Sequence, residues 1–156
     1  VQPADWDPAS LQDPAARAAL DALIAAATGG AAEVAKAYEE LRLHDALASA
    51  WKPVVRANEF IERVKPWTVA KDAARKKELS TALRALLETL RVTAIRAWPA
   101  IPGKCEELWS MLKLPGKVGE ARDSDARFGP GEGAGEKLAE VKSLFPRLEA
   151  KTDAQA

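Results

Sequence analysis

The chain has 156 residues, 23 basic and 23 acidic, so its formal net charge is zero. That length suits one domain able to bury a continuous core without disulfides or metals, and neutrality excludes a protein that coats nucleic acid through a uniformly basic surface. Alanine, leucine, arginine, lysine and glutamate dominate while β-branched and aromatic residues are sparse, which predicts an all-α fold because unbranched side chains lose little rotamer freedom in a helix. Cys105 is the only cysteine, so no intrachain disulfide is available. No secretory leader and no apolar run long enough to span a bilayer is expected, which predicts a cytoplasmic chain without a membrane partner.

A first helix is predicted to begin at Asp13-Pro14, an N-cap followed by proline at the first helical position, where its missing N–H costs nothing. Leu20, Leu23, Ile24 and Ala27 keep to one face until Gly29-Gly30, where backbone entropy favours a break; Val34, Tyr38 and Leu41 resume the pattern. The next helix runs from about Asp45 to Val64, with Leu47, Trp51, Val54, Asn58 and Ile61 on one stripe. That stripe places Asn58 on the apolar side in a structural role, its amide bonded to a neighbouring backbone or turn. Pro53 removes a donor and crowds the carbonyl four residues earlier, so a kink is predicted near Ser49 to Pro53.

Lys65-Pro66-Trp67 ends that helix, because the residue before a proline is driven from the α region, and Trp67 therefore occupies a corner. A long helix from about Arg75 to Ala97 follows, with Leu79, Leu83, Leu86, Leu90, Ala94 and Ala97 at spacings of three or four, and Pro99 stops it. A shorter helix from Pro102 to about Leu112 sets Cys105, Leu108, Trp109 and Leu112 on one face before Pro115-Gly116 closes it. From Gly116 to Gly135 there is too little apolar surface to offset the entropy of ordering, and a mobile or extended segment is predicted. Leu138, Val141, Leu144 and Phe145 then form a short apolar stretch, a helical turn or two, expected to fold back on the bundle. The organisation is an antiparallel helix bundle over residues 1–114, a flexible linker over 115–137 and a docking C-terminal segment over 138–156.

Lys65, Lys71, Arg75, Lys76 and Lys77 lie within thirteen residues, opposed there only by Asp72, so one stretch of a neutral chain is basic enough to hold phosphates. Lys77, Arg84 and Arg91 recur every seven residues and extend this patch as a stripe; Arg56 and Arg63 could flank it. An ordinary solvated helix face accounts for the same charges. His44 and Cys105 make neither a zinc site nor a catalytic dyad, and no catalytic or metal-binding residue is assigned. Gly129, Gly131, Gly133 and Gly135 have no strand before them and no Gly-Lys-Ser/Thr after them, so a linker is preferred to a phosphate loop.

Ala57-Asn58-Glu59-Phe60-Ile61 followed by Lys65-Pro66-Trp67-Thr68-Val69-Ala70-Lys71-Asp72 resembles the Asn-x-aromatic and Pro-Trp-x-x-Ala-Lys pattern of methionyl-tRNA synthetases. Trp98-Pro99-Ala100-Ile101-Pro102 with Glu107-Leu108-Trp109, and the ending Leu144-Phe145-Pro146-Arg147-Leu148-Glu149, are similar to segments that follow in that family. The resemblance implies a class I synthetase anticodon-binding bundle that recognises the CAU anticodon of initiator and elongator methionine tRNA. It assigns Trp67 to the first anticodon base, with Pro66 fixing the corner and Lys65, Lys71, Arg75, Lys76, Lys77 and Arg84 as tRNA backbone contacts. ATP and Mg would belong to the partner catalytic domain, whose His-Ile-Gly-His and Lys-Met-Ser-Lys-Ser signatures are absent here, so this chain alone should not aminoacylate. A second family determinant, an asparagine and an arginine four residues apart on an earlier helix, has no counterpart, and the chain is expected to begin after it.

Two readings of Trp67 stay open at this level. It is either an aromatic platform for an unstacked base or a plug between two helices. The second belongs to a rival in which the chain is a free-standing structural or protein-interaction bundle that binds no tRNA. A third reading, the anticodon domain of a cysteine, valine or leucine synthetase, is disfavoured by the Pro-Trp pair and the Leu-Phe-Pro-Arg-Leu-Glu ending.

Overall fold

A computed structural model describes residues 5–129 and 138–146. Six α-helices are found among them: α1 (Pro14–Thr28), α2 (Ala31–Glu39), α3 (Leu43–Val64), α4 (Pro66–Val69), α5 (Lys76–Ala97) and α6 (Pro102–Met111). The described residues contain no strand. The punctuation is where the sequence placed it. Asp13 caps α1 by accepting from the Ala15 N–H at 2.9 Å, with Pro14 at the first helical position. Gly30, at φ 77°, separates α1 from α2, a left-handed conformation that costs glycine little. Pro102 opens α6.

Helix α3 packs against α1, α2 and α5, and α5 in turn carries α6. The apolar face of α3 differs from the predicted stripe by one residue: Ala46, Ala50, Pro53, Ala57, Phe60 and Val64 are buried, and Asn58 is exposed. The predicted stripe weighted side-chain size, whereas the buried face sets Ala46, Ala50 and Ala57 beside Pro53, Phe60 and Val64. Asn58 therefore has no buried amide to satisfy, and its predicted structural role is withdrawn. Pro53 is buried within a helix that runs unbroken from Leu43 to Val64.

Helix α5 is the axis of the domain. Beyond its contacts with α3, α4 and α6 it meets α1 and the 3-10 turns Pro8–Ser10, Ala73–Arg75 and Val118–Glu120. Its buried positions accordingly run nearly all round, including Thr81, Ala85, Glu88, Val92 and Ile95, while Leu83 on the predicted stripe is exposed. The N-terminal segment supplies part of this cover: Leu11 is fully buried and the Asp7 N–H donates to Thr81 Oγ1 at 3.0 Å.

Within the segment predicted to be mobile or extended, residues 117–128 pack against the bundle. Val118 and Ala126 enter the core, and Phe128 meets Trp6 edge to face with ring centroids 5.9 Å apart. Arg91 Nη1 and Nη2 donate to the Asp125 and Arg127 carbonyls, and Arg96 Nε donates to Asp123 Oδ1 at 2.9 Å. A few apolar anchors and two arginines thus hold a segment whose average composition is polar. Gly119 sits against Trp98: a Cβ there would lie 2.5 Å from Cζ2 and 2.8 Å from Cε2. Gly119→Ala should therefore destabilise the fold by about 1–3 kcal/mol through forced displacement of the indole; an unchanged melting temperature would contradict this packing.

Within residues 138–146 no helical turn forms, and the Ala139 N–H donates to the Met111 carbonyl at 3.0 Å. Gly131, Gly133, Gly135 and the Arg147-Leu148-Glu149 end of the signature lie outside the described residues. One further expectation is amended. The stretch Pro14–Glu39 is, by length and composition, apolar enough to cross a membrane, because alanine fills its outer face. It comprises two helices broken at Gly30, and Leu20, Leu23 and Ala27 are buried within the domain.

Candidate nucleic-acid interface

The corner between α3 and α5 is made by one residue in an uncommon conformation. Lys65 has φ 49° and ψ 64°, left-handed rather than the extended conformation expected before proline. Its N–H closes α3 on the Ile61 carbonyl at 2.8 Å, and its own carbonyl accepts from the Thr68 N–H at 2.7 Å to start α4. Pro66 takes the first position of that short helix. Val69 is 1% exposed and pins α4 to the core beside Val64 and Phe60. With the corner filled by these residues, Trp67 is left 53% exposed. An indole in that position offers a face to a ligand while its backbone is fixed.

Asp72 caps the 3-10 turn Ala73–Arg75, accepting from the Ala74 N–H at 2.9 Å, and the chain then enters α5 at Lys76. Since α4 and this turn both pack on α5, Lys65, Lys71, Lys76 and Lys77 are gathered at the Trp67 end of the bundle. All four are exposed, and none forms an ion pair with the described residues. Arg75 is different: its Nε and Nη2 make a bidentate contact with Glu78 at 2.8 and 2.7 Å, which neutralises much of its charge and fixes its direction.

Arg84 does not belong to this surface. It is 1% exposed, with Nη2 donating to Glu88 Oε1 at 2.6 Å inside the bundle. Arg91 reaches the other Glu88 oxygen at 3.0 Å and turns to the 125–127 backbone. The predicted stripe along α5 therefore stops at Lys77, because the N-terminal segment and residues 117–128 cover the helix beyond it. Of the flanking arginines, Arg56 is paired with Glu59 at 2.7 Å and Arg63 is exposed.

The remaining reactive groups are structural. His44 is exposed, 3.1 Å from Asp45. Cys105 is buried, and burial, with a smaller push from Glu106, raises its thiol to about 11. About a hundredfold less thiolate than for an exposed cysteine is then present near neutral pH. A disulfide reagent at pH 8 should modify Cys105 slowly in the native chain and rapidly after unfolding, and equal rates would refute its burial.

The described residues thus set a half-exposed indole on a fixed corner of an α-helical bundle, at the end where four exposed lysines gather. Residues 23–147 match the family described as the anticodon-binding domain of tRNA ligase, and the chain belongs to that family. Within it, the chain is 32% identical over 130 residues to methionine–tRNA ligase of Bacillus subtilis, covering 81% of this chain and 19% of that protein. It is 33% identical over 131 residues to the Clostridium tetani enzyme, covering 84% and 20%. The structure of apo methionyl-tRNA synthetase from Mycobacterium tuberculosis superposes with a TM-score of 0.71 at 25% identity, over 85% of this chain and 26% of that one. The chain thus spans about a fifth of the length of the curated relatives it matches.

Proposed function

We propose that this chain reads the CAU anticodon of initiator and elongator methionine tRNAs, as the anticodon-binding domain of a methionine–tRNA ligase acting in the cytoplasm. ATP and Mg serve the catalytic domain of that ligase, the partner with which this domain would work. The observation that carries the reading is the half-exposed Trp67 at a rigid corner whose neighbouring lysines form no ion pair among the described residues. The first anticodon base, lifted out of its stack, lies on the indole, and Lys65, Lys71, Lys76 and Lys77 hold the flanking phosphates. Arg75 contributes through the part of its guanidinium that Glu78 leaves open. The rival structural bundle needs Trp67 as a plug, a place taken here by Val64 and Val69.

Filter binding of the chain to a CAU anticodon stem-loop and to one with the first base changed, at two salt concentrations, tests the reading. Weak, salt-dependent binding that favours CAU is expected; equal binding of both, or none, would overturn it. Replacing Lys76 and Lys77 by Gln should weaken both RNAs alike and reduce the slope of log K against log salt by roughly one to two, since each phosphate contact on a single strand adds about 0.7 to that slope.

A further inference from the structure

Three residues other than glycine have a left-handed backbone among the described residues: Leu41 at φ 57°, Lys65 at φ 49° and Lys113 at φ 50°. Each lies just past the end of a helix, α2, α3 and α6 respectively. A helix end of this kind is commonly fixed by a hydrogen bond from the next residue's N–H to the carbonyl five residues before it. Leu41 and Lys113 have that support: the Arg42 N–H donates to the Ala37 carbonyl at 2.8 Å, and the Leu114 N–H to the Trp109 carbonyl at 3.2 Å. Lys65 is followed by Pro66, which has no N–H to give. On the α3 side, its conformation is held by its own N–H on the Ile61 carbonyl.

We infer that Lys65 is a positioning residue for anticodon reading: its left-handed backbone aims the Trp67 indole, so preference for the first anticodon base depends on how readily residue 65 holds that conformation, and not on its charge alone. The inference rests on the reading of Trp67 given above. Because α3 ends at Val64 and α4 starts at Pro66, the change of direction between them falls on φ and ψ of Lys65. The far end of α4 is pinned by buried Val69, and Trp67 lies between the two. Its indole forms no hydrogen bond with the described residues that would fix it independently. The left-handed region is costly for every side chain but glycine, and a residue before proline is driven towards extended backbone. Were residue 65 to relax that way with Val69 still in the core, the indole would point elsewhere.

Three variants that all lack the ammonium separate backbone from charge. Lys65→Gln keeps an unbranched side chain, Lys65→Gly enters the left-handed region freely, and Lys65→Val resists it because its side chain branches at Cβ. Each whole chain is titrated against a CAU stem-loop and against one with the first base changed, and the ratio of the two affinities is compared. Lys65→Gln should weaken both RNAs alike and keep the wild-type ratio, and Lys65→Gly should keep it too. Lys65→Val should lower the ratio by up to about tenfold, because the corner that presents the indole becomes a minor state. It should still bind the changed-base RNA as Lys65→Gln does, which makes that RNA the control for folding. A ratio that Lys65→Val retains, or that Lys65→Gly loses, would overturn the positioning role alone. A wild-type ratio of one, or a ratio unaltered by Trp67→Ala, would overturn the reading of Trp67 and this inference with it.

Discussion

Trp67→Ala should lower affinity for a CAU anticodon stem-loop by roughly ten- to a hundredfold, because base stacking on an aromatic side chain is worth about 1–3 kcal/mol. The melting temperature should hardly move. The indole is 53% exposed, and the corner that carries it is held by Val69, Val64 and the backbone hydrogen bonds of Lys65; exposed substitutions of this kind change stability by about 0.5 kcal/mol or less. Trp67→Phe keeps a stacking face and should retain most of the binding. The loss must also be selective: an RNA already mismatched at the first anticodon base should lose much less. A large drop in melting temperature with unchanged RNA affinity would make Trp67 a core residue and support the structural bundle instead.

Glu88→Ala should be the opposite kind of variant, costing about 3–5 kcal/mol of stability, because it removes the buried carboxylate that Arg84 and Arg91 share. For a domain of this size that is a fall of roughly 10 °C in melting temperature. Arg84 and Glu88 are each 1% exposed and 2.6 Å apart, while Arg91 takes the second carboxylate oxygen and also holds the Asp125 and Arg127 carbonyls. Loss of Glu88 should therefore also free residues 123–128, visible as faster hydrogen exchange there, with RNA affinity of the folded fraction unchanged. A stability loss below 1 kcal/mol would show that the pair is solvated.

The pH dependence of this cluster has a definite sign. Burial pushes the Glu88 carboxyl above the usual carboxylate range, against the opposing pull of Arg91 and Arg84. The folded chain then binds that proton more tightly than the unfolded chain, so acidification through this range favours folding at this site. Acid unfolding should begin elsewhere, at carboxylates held below their ordinary value. Glu33 is one, lowered by hydrogen bonds from Lys52 and Ser49.

The helix ends were legible because they are local chemistry: Asp13-Pro14, Gly29-Gly30, Lys65-Pro66 and Pro102 each act within a few residues. The Trp67 corner was legible for the same reason, and its family pattern pointed to its use. Which face of a helix is buried was less so. On α3 about half of the buried face is alanine, and the larger apolar residues one position away drew the stripe, and Asn58 with it, to the wrong side. On α5 the pattern failed because the helix is covered from several directions by segments distant in sequence. Arg84 with Glu88 four residues later was a readable ion pair, but nothing local says that residues 117–128 and the N-terminal segment close over it. Those segments carry few apolar side chains, and composition alone hides anchors such as Val118, Ala126 and Leu11.

The proposed contact of Trp67 with the first anticodon base is open to an optical test: a fluorescent base analogue is placed at that position of a CAU-type stem-loop and the chain is titrated in. Saturable quenching by the stacked indole is expected, lost in Trp67→Ala at concentrations that still saturate binding. Fluorescence unchanged on binding, or quenched equally by Trp67→Ala, would contradict it.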